Sequence, residues 1–280
     1  MPRKKGARVA FQGERGAFSY SAAVKLLGND IQDLPCTSFQ QVFEAVKMES
    51  ARSAVIPIEN TLHGSIHENY DYLLEYGFTI SGETKVRIAH HLIGRPGMRF
   101  RDIRKAFSHP VALNQCRLFF QEYPQIEPVS FYDTAGSVKM IMEAREPHSA
   151  AIASESAAAI FGGKIFRRNI EDNSQNFTRF FLLTKQATRF PTTLEGWKTS
   201  IVFSTKNVAG ALFRALACFA LRDLNLSKIE SRPLRSKPWE YLFYVDILGR
   251  SDEATVQNAL NHLSETTEFL RVLGSYRPTP

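Results

Sequence analysis

The chain alternates short apolar runs with segments whose apolar residues recur at helical spacing. Arg8-Val9-Ala10-Phe11 reads as a buried strand ending in the glycine loop Gly13 to Gly16, and Ser19 to Leu27 reads as the helix that follows. Phe39, Val42, Phe43 and Val46 mark one face of an amphipathic helix, and Ser53 to Ile58 is the next strand. This order predicts α/β units with a parallel sheet. Over Val86, Ile88, His90 and Leu92 the period drops to two, which predicts an extended segment able to cross between two lobes. Alternation then resumes with Ala106-Phe107, a helix opened by Pro110, the strand Pro128 to Phe131 and a helix from Thr134. The strand Ala150 to Ala153, an alanine-rich helix and the strand Thr178 to Leu183 complete it. Two α/β lobes around a cleft are the economical fold, an arrangement like that of periplasmic binding proteins.

Between Lys185 and Trp197 the pattern lapses into Thr188-Arg189-Phe190-Pro191-Thr192-Thr193, read as a linker over 188–196. The order beyond it is different. Thr199 to Thr205 is a strand, and Gly210 to Arg222 is a helix with Leu212, Ala215, Leu216 and Phe219 on one face. Strands follow at Leu226 to Ser231 and at Tyr241 to Ile247. A helix over Asp252 to Thr266, with Ser251 as its N-cap, and a strand over Leu270 to Tyr276 close the chain. That is βαββαβ, the ferredoxin-like unit, with sheet edges open to a second copy. The plan is a basic tail over 1–7, a two-lobed α/β domain over 8–187, the linker, and a ferredoxin-like domain over 197–280.

Composition fits two soluble domains: 280 residues, 44% hydrophobic and 22% charged. The net charge of +7 invites a nucleic-acid reading, and its distribution argues against one. Residues 1–196 carry 24 basic against 20 acidic side chains, an excess of 4 that the basic residues Arg3, Lys4, Lys5 and Arg8 account for. Residues 197–280 carry 11 against 8, spread out except for Arg232, Arg235 and Lys237. Cys36, Cys116 and Cys218 have neither disulfide nor metal spacing. No signal-peptide core follows the basic start, and the most apolar run, Ala150 to Gly163, is too short to span a bilayer. The expectation is a cytoplasmic protein that binds neither nucleic acid nor membrane.

Several motifs invite chemistry. Gly13-Glu14-Arg15-Gly16, between a strand and a helix, suits an anion held by backbone N–H groups, without a dinucleotide or P-loop fingerprint. His63 and His67 stand four apart but lack a third ligand, so a turn or helix-start role outweighs metal binding. Ser108-His109 is no triad fragment, because adjacent residues on a strand face opposite ways. Polar clusters at strand ends say more: Glu59-Asn60-Thr61 after an apolar strand, Ser108-His109-Pro110 before a helix carrying Gln115, and Asn173 to Phe180 at a strand's start. Open α/β sheets bind ligands at such ends, so the three together predict a cleft site.

These residues resemble the prephenate dehydratase family. Asn176-Phe177-Thr178-Arg179-Phe180 is similar to its Thr-Arg-Phe signature. Val55 to Thr61 with Gly64, Ser108-His109-Pro110 with Ala112, Leu113, Gln115 and Cys116, and Asp133-Thr134-Ala135 resemble its other blocks in order. Gly210-Ala211-Leu212-Phe213 and Ile229-Glu230-Ser231-Arg232-Pro233 resemble the phenylalanine motifs of the regulatory ACT domain, with Ala209 where proline is usual. The resemblance runs from about Val9 to Tyr276; with no mutase helices before Val9, it implies the monofunctional form.

It implies a lyase that turns prephenate into phenylpyruvate in phenylalanine biosynthesis, with no cofactor and no metal; arogenate is the alternative substrate, and a non-catalytic binding protein the alternative class. Thr178 would serve the departing hydroxyl, with Asn60, Thr61, Ser108 and Gln115 orienting the substrate beside Phe180. Arg179 either turns inward on a bulge to bind a carboxylate or supports the site from behind, since a regular strand points it away from Thr178. The ACT resemblance implies feedback inhibition by phenylalanine held by Ala209, Gly210, Ala211 and Leu212. Asn225, Leu226, Ser227 and Glu230 would close that pocket in a homodimer or homotetramer joined through ACT domains.

Overall fold

The computed structural model describes residues 8–143, 147–186, 196–234 and 240–279; the tail 1–7, most of the linker, Arg235 and Lys237 lie outside them. The first lobe comprises β1 (Arg8–Gln12), α1 (Phe18–Leu27), β2 (Gln32–Cys36), α2 (Phe39–Lys47), β3 (Ser53–Asn60), β4 (Gly64–Ser65), α3 (His67–Tyr76) and β5 (Thr79–Arg87). The second holds β6 (His91–Gly94), β7 (Lys105–Ser108), α4 (Pro110–Asn114), α5 (Arg117–Glu122), β8 (Glu127–Ser130), α6 (Thr134–Glu143), β9 (Ser149–Ala153), α7 (Glu155–Phe161) and β10 (Lys164–Arg167). The chain returns to the first lobe as β11 (Phe177–Thr184). Then come β12 (Lys198–Ser204), α8 (Ala211–Ala220), β13 (Leu226–Pro233), β14 (Tyr241–Leu248), α9 (Ala254–Thr266) and β15 (Phe269–Tyr276).

The chain forms two compact units, one of residues 1–77 with 84–182 and one of residues 78–83 with 183–280. In the first, one sheet runs β5-β11-β3-β1-β2, with β4 on β3, and a second runs β10-β6-β9-β7-β8. Local chemistry sets the helix starts. Ser38 accepts from Gln41 N at α2, Ser154 accepts from Ala157 N at α7, and His109 Nδ1 accepts from Val111 N at α4, where Pro110 gives up no needed donor. The apolar runs fill the interior: Val9, Ala22, Ala23, Val55 and Phe180 form one cluster, and Ala150, Ile152, Leu92 and Ile126 belong to another.

The first strands pair in parallel as expected, within sheets that are mixed as a whole. β1 is parallel to β2 and β3, and β7 to β8 and β9, but β6 runs antiparallel to β9 and β10. The chain enters the second lobe straight from β5 through Ile88 to His90. A returning strand of chain lies beside this crossing: Ile88 N donates to Asn176 O and Ile170 N to His90 O.

The second unit folds as βαββαβ with the antiparallel order β13-β14-β12-β15, the ferredoxin-like topology. Ile201, Phe203, Phe219, Val245, Ile247 and Leu263 share its core with the inner faces of α8 and α9. Ser251 does not cap α9: its N–H donates to Ser275 Oγ, while the Glu253 carboxylate accepts from Arg250 N and closes a turn, so the helix starts at Ala254.

Candidate active site

The site is built at the carboxyl end of β3, where the chain turns and meets the start of β11. Asn60 is buried there, and its carbonyl oxygen Oδ1 accepts from Leu62 N at 2.9 Å and His63 N at 3.0 Å. Those bonds fix which end of the amide is which. Nδ2 therefore donates to Asn176 Oδ1 at 2.7 Å and Thr178 Oγ1 at 2.9 Å, with Phe177 O at 3.2 Å. Because Thr178 Oγ1 accepts from Asn60, its own hydrogen remains for a ligand. Thr61 is spent on architecture: its hydroxyl donates to Gln175 O and accepts from Phe177 N, zipping the turn to the segment before β11.

Gln115, just past α4, faces the same turn. Its Oε1 lies 2.8 Å from His90 Nε2 and its Nε2 lies 2.8 Å from His63 Nε2, so it bridges the interlobe crossing and the turn after Asn60. Burial holds the His90 imidazole below its ordinary pKa, and therefore neutral. His63 is thus a turn residue bonded to Gln115, and His67 is the first residue of α3. Ser108 is fully buried at the end of β7 and donates to Ile152 O at 2.6 Å, tying β7 to β9.

Arg179 resolves the choice that strand geometry left open. It stacks over the Phe181 ring two residues on, at 4.8 Å, and its Nη1 lies 3.4 Å from Glu59 Oε2. Phe181, two residues on, lies on the face of β11 opposite Thr178, and these contacts hold the Arg179 side chain on that face, the placement behind the site. Phe180 shares the Thr178 face and packs into the core beneath it.

The Gly13 to Gly16 loop holds an anion of the protein's own. The Asp133 carboxylate accepts from Gly136 N and from the backbone of Ala135 and Glu14, and burial raises its pKa. A Cβ at Gly13 would stand 2.8 Å from Asp133 Oδ2, and one at Gly16 would stand 2.6 Å from Ala157 Cα; φ is +101° and +88°. Only glycine fits so close an approach at positive φ.

In the second unit, Gly210 at φ +76° precedes α8 with no side chain capping the first turn. Ala211 and Leu212 line a pocket with Thr205, Lys206, Val208, Tyr241 and Phe243. Ala209 O accepts from Arg214. Asn225, Leu226, Ser227 and Glu230, expected to close the pocket from a second copy, lie outside it within one chain: Asn225 O takes Leu248 N, Leu226 packs on the core, Ser227 reaches Asp246 O and Glu230 pairs with Lys228.

A sequence model of the prephenate dehydratase family matches residues 9–188, nearly the whole first unit and all of the site around Asn60, Gln115 and Thr178. The chain belongs to the prephenate dehydratase family. It is 46% identical over 278 residues to arogenate dehydratase/prephenate dehydratase 2, chloroplastic, of Arabidopsis thaliana, covering 96% of this chain and 72% of that one. Among solved structures, a prephenate dehydratase from Arthrobacter aurescens in complex with L-Phe is 32% identical with a TM-score of 0.86, covering 96% and 89%. A structure described as GqqA, a novel type of quorum quenching acylase, is 34% identical with a TM-score of 0.88, covering 98% of both chains.

The site is built from neutral donors and acceptors. It combines three amides, Asn60, Gln115 and Asn176, and the Thr178 hydroxyl with a buried neutral imidazole, while Arg179 is paired with Glu59. Sequence reasoning missed His90 and Asn176 as members of the network. Both carried a signal, His90 as a polar residue on the apolar face of an alternating segment, and Asn176 within the polar cluster before β11.

Proposed function

We propose that this family member is the lyase that decarboxylates and dehydrates prephenate to phenylpyruvate. The observation that carries it is the Asn60 to Thr178 bond, which leaves the threonine hydrogen as a donor. As the ring carboxylate leaves as carbon dioxide, its bonding electrons shift through the diene and expel the C4 hydroxyl, and the ring becomes aromatic. The expelled hydroxide takes up one proton from solvent, so carbon dioxide and water depart with no net redox change. The step needs hydrogen bonds to the departing oxygen, which Thr178 supplies at a preset angle, and donors to the two carboxylates. Threonine is too weak an acid to transfer a full proton early, so its contribution is stabilisation of developing hydroxide. The hydroxyls of Ser108 and Thr178 are bonded to a carbonyl and an amide rather than to a base, which favours this reading over hydrolytic acyl transfer.

Relatives named as arogenate dehydratases support arogenate as a second substrate. The two substrates share the reacting ring and differ only in a keto or amino side chain. We read the second unit as an ACT domain that binds L-phenylalanine as an inhibitor beside Ala211 and Leu212, supported by the L-Phe complex of the A. aurescens relative and by the ferredoxin-like order. The unsatisfied N–H groups at the start of a helix suit an amino-acid carboxylate. Self-association through ACT domains into a dimer or tetramer, with β13 as an edge strand, and a cytoplasmic location complete the reading. Turnover of prephenate and arogenate in parallel, with and without phenylalanine, tests it. Failure on both substrates refutes the enzyme assignment, and indifference to phenylalanine refutes the regulatory one.

A further inference from the structure

Gln115 carries its two amide atoms to two different imidazoles, and an amide by shape alone does not know which way round to sit. His90 decides. It is 2% exposed, with its ring edge against Phe18 at 5.6 Å, and its backbone N–H is pinned to Glu171 Oε2 at 2.9 Å. Its Nδ1 is buried with no hydrogen-bond partner, so the one hydrogen bond its ring makes is at Nε2. A neutral imidazole has one N–H, and placing it at Nδ1 would bury an unsatisfied donor. With the proton at Nε2, Gln115 Oε1 must accept, and the NH2 end must face His63. One of its hydrogens takes the His63 Nε2 lone pair at 2.8 Å. The other is left over, beside a turn whose His63 N–H is itself held by Asn60 Oδ1.

We propose that His90 and His63 are positioning residues that lock Gln115 so that its amide nitrogen is a fixed donor to a carboxylate oxygen of the substrate. Without the lock, the amide inverts and presents a carbonyl oxygen to an anion. This inference rests on the dehydratase reading and adds the device that sets the polarity of one of its donors. It also gives His63 a role distinct from metal ligation: an acceptor that holds the amide from the cleft side, as His90 holds it from within.

A double-mutant cycle on the full-length protein tests it, with prephenate as substrate and thermal unfolding followed alongside. His90→Phe keeps the ring but removes the donor; KM should rise roughly tenfold while kcat stays within about threefold. In a Gln115→Ala background the same change should have no further effect beyond about twofold, because the group it positions is gone. His90→Gln, which returns an N–H donor, should bring KM back to within about threefold of wild type. His63→Leu, at an exposed position, tests the outer end of the lock if His90→Phe fails to fold; its KM effect should also vanish in Gln115→Ala. Multiplicative effects in the double variants, or a loss confined to kcat, overturn the inference while leaving the dehydratase reading intact. A wild type that turns over neither prephenate nor arogenate takes down both.

Discussion

Asn60→Asp is the sharpest test of how Thr178 is aimed. The substitution is isosteric and retains the oxygen that accepts from Leu62 N and His63 N, so the turn survives. The other end changes from donor to carboxylate, facing Asn176 Oδ1, Thr178 Oγ1 and Phe177 O at 2.7, 2.9 and 3.2 Å. Asn176 can answer by inverting its amide, since its Nδ2 has no partner to lose. Thr178 can answer only by turning its hydrogen onto the new carboxylate. A charge-assisted bond of that kind is worth about 1.5–3 kcal/mol, and the substrate must break it to recover its donor. Loss of one such donor to developing negative charge costs about 10²–10³ in kcat, near 2.7–4 kcal/mol. Stability should fall far less: the carbonyl of Phe177 is the one acceptor left against the carboxylate, at about 1 kcal/mol or roughly 2–4 °C in Tm. Phenylpyruvate formation at saturating prephenate reads kcat, with Thr178→Val as the reference for a missing hydroxyl. The double variant should be no slower than Thr178→Val alone. An Asn60→Asp enzyme that keeps more than about a tenth of wild-type kcat contradicts the aiming argument.

Three further outcomes follow from other contacts. Ser108→Ala removes a buried hydrogen bond to Ile152 O and should cost about 1 kcal/mol of stability while leaving KM within a few-fold; a large loss of turnover at unchanged Tm would put that hydroxyl on the substrate. Burial lowers the pKa of His90 and His91 below the ordinary 6.5, so the unfolded chain binds more protons below that value and stability is lost as pH falls from about 7 toward 5. Asp133, with its raised pKa, acts in the opposite sense, so Tm against pH for wild type and His90→Phe should be compared, the variant giving the flatter acid limb. Ala211→Glu places a carboxylate in the first turn of α8, where the helix dipole welcomes it but an effector carboxylate is repelled. Inhibition by phenylalanine should weaken at least about tenfold, read against turnover without phenylalanine; unchanged inhibition would move the effector elsewhere.

What could be read from the chain follows from where periodicity is strong. β1, β3, β9 and β11 are interior strands written as near-continuous apolar runs, and each is legible to within a residue or two. β2 and β10 are not, because they end their sheets: β2 reads Gln-Asp-Leu-Pro-Cys, with a proline an edge strand tolerates. α3, His-Glu-Asn-Tyr-Asp-Tyr-Leu-Leu-Glu-Tyr, buries only Asn69, Tyr70 and Leu73 and so carries a weak stripe. Polar clusters at strand ends named the neighbourhood of the site. They did not say which groups touch, because Asn60 and Thr178, or Gln115 and His90, are brought together by the fold across long separations. Family resemblance supplied Asn60, Gln115 and Thr178 by position; His90 and the hydrogen-bond directions came from geometry.

The same geometry changes the argument about charge. A net charge of +7 suggests long-range attraction of a dianionic substrate. Yet several cations of the first unit are matched: Arg179 with Glu59, Arg87 with Glu171 at 2.6 Å, and Lys139 with Glu14 at 3.3 Å. Pairs of this kind leave little net field at a distance. Recognition of the dianion then falls to short-range neutral donors, whose strength does not depend on ionic atmosphere. KM for prephenate should therefore rise less than about threefold between about 50 and about 500 mM salt, whereas steering by unpaired charge falls steeply over that range. A steep salt dependence in the wild type, abolished by Arg179→Met, would show that the arginine acts on the substrate despite facing away from Thr178.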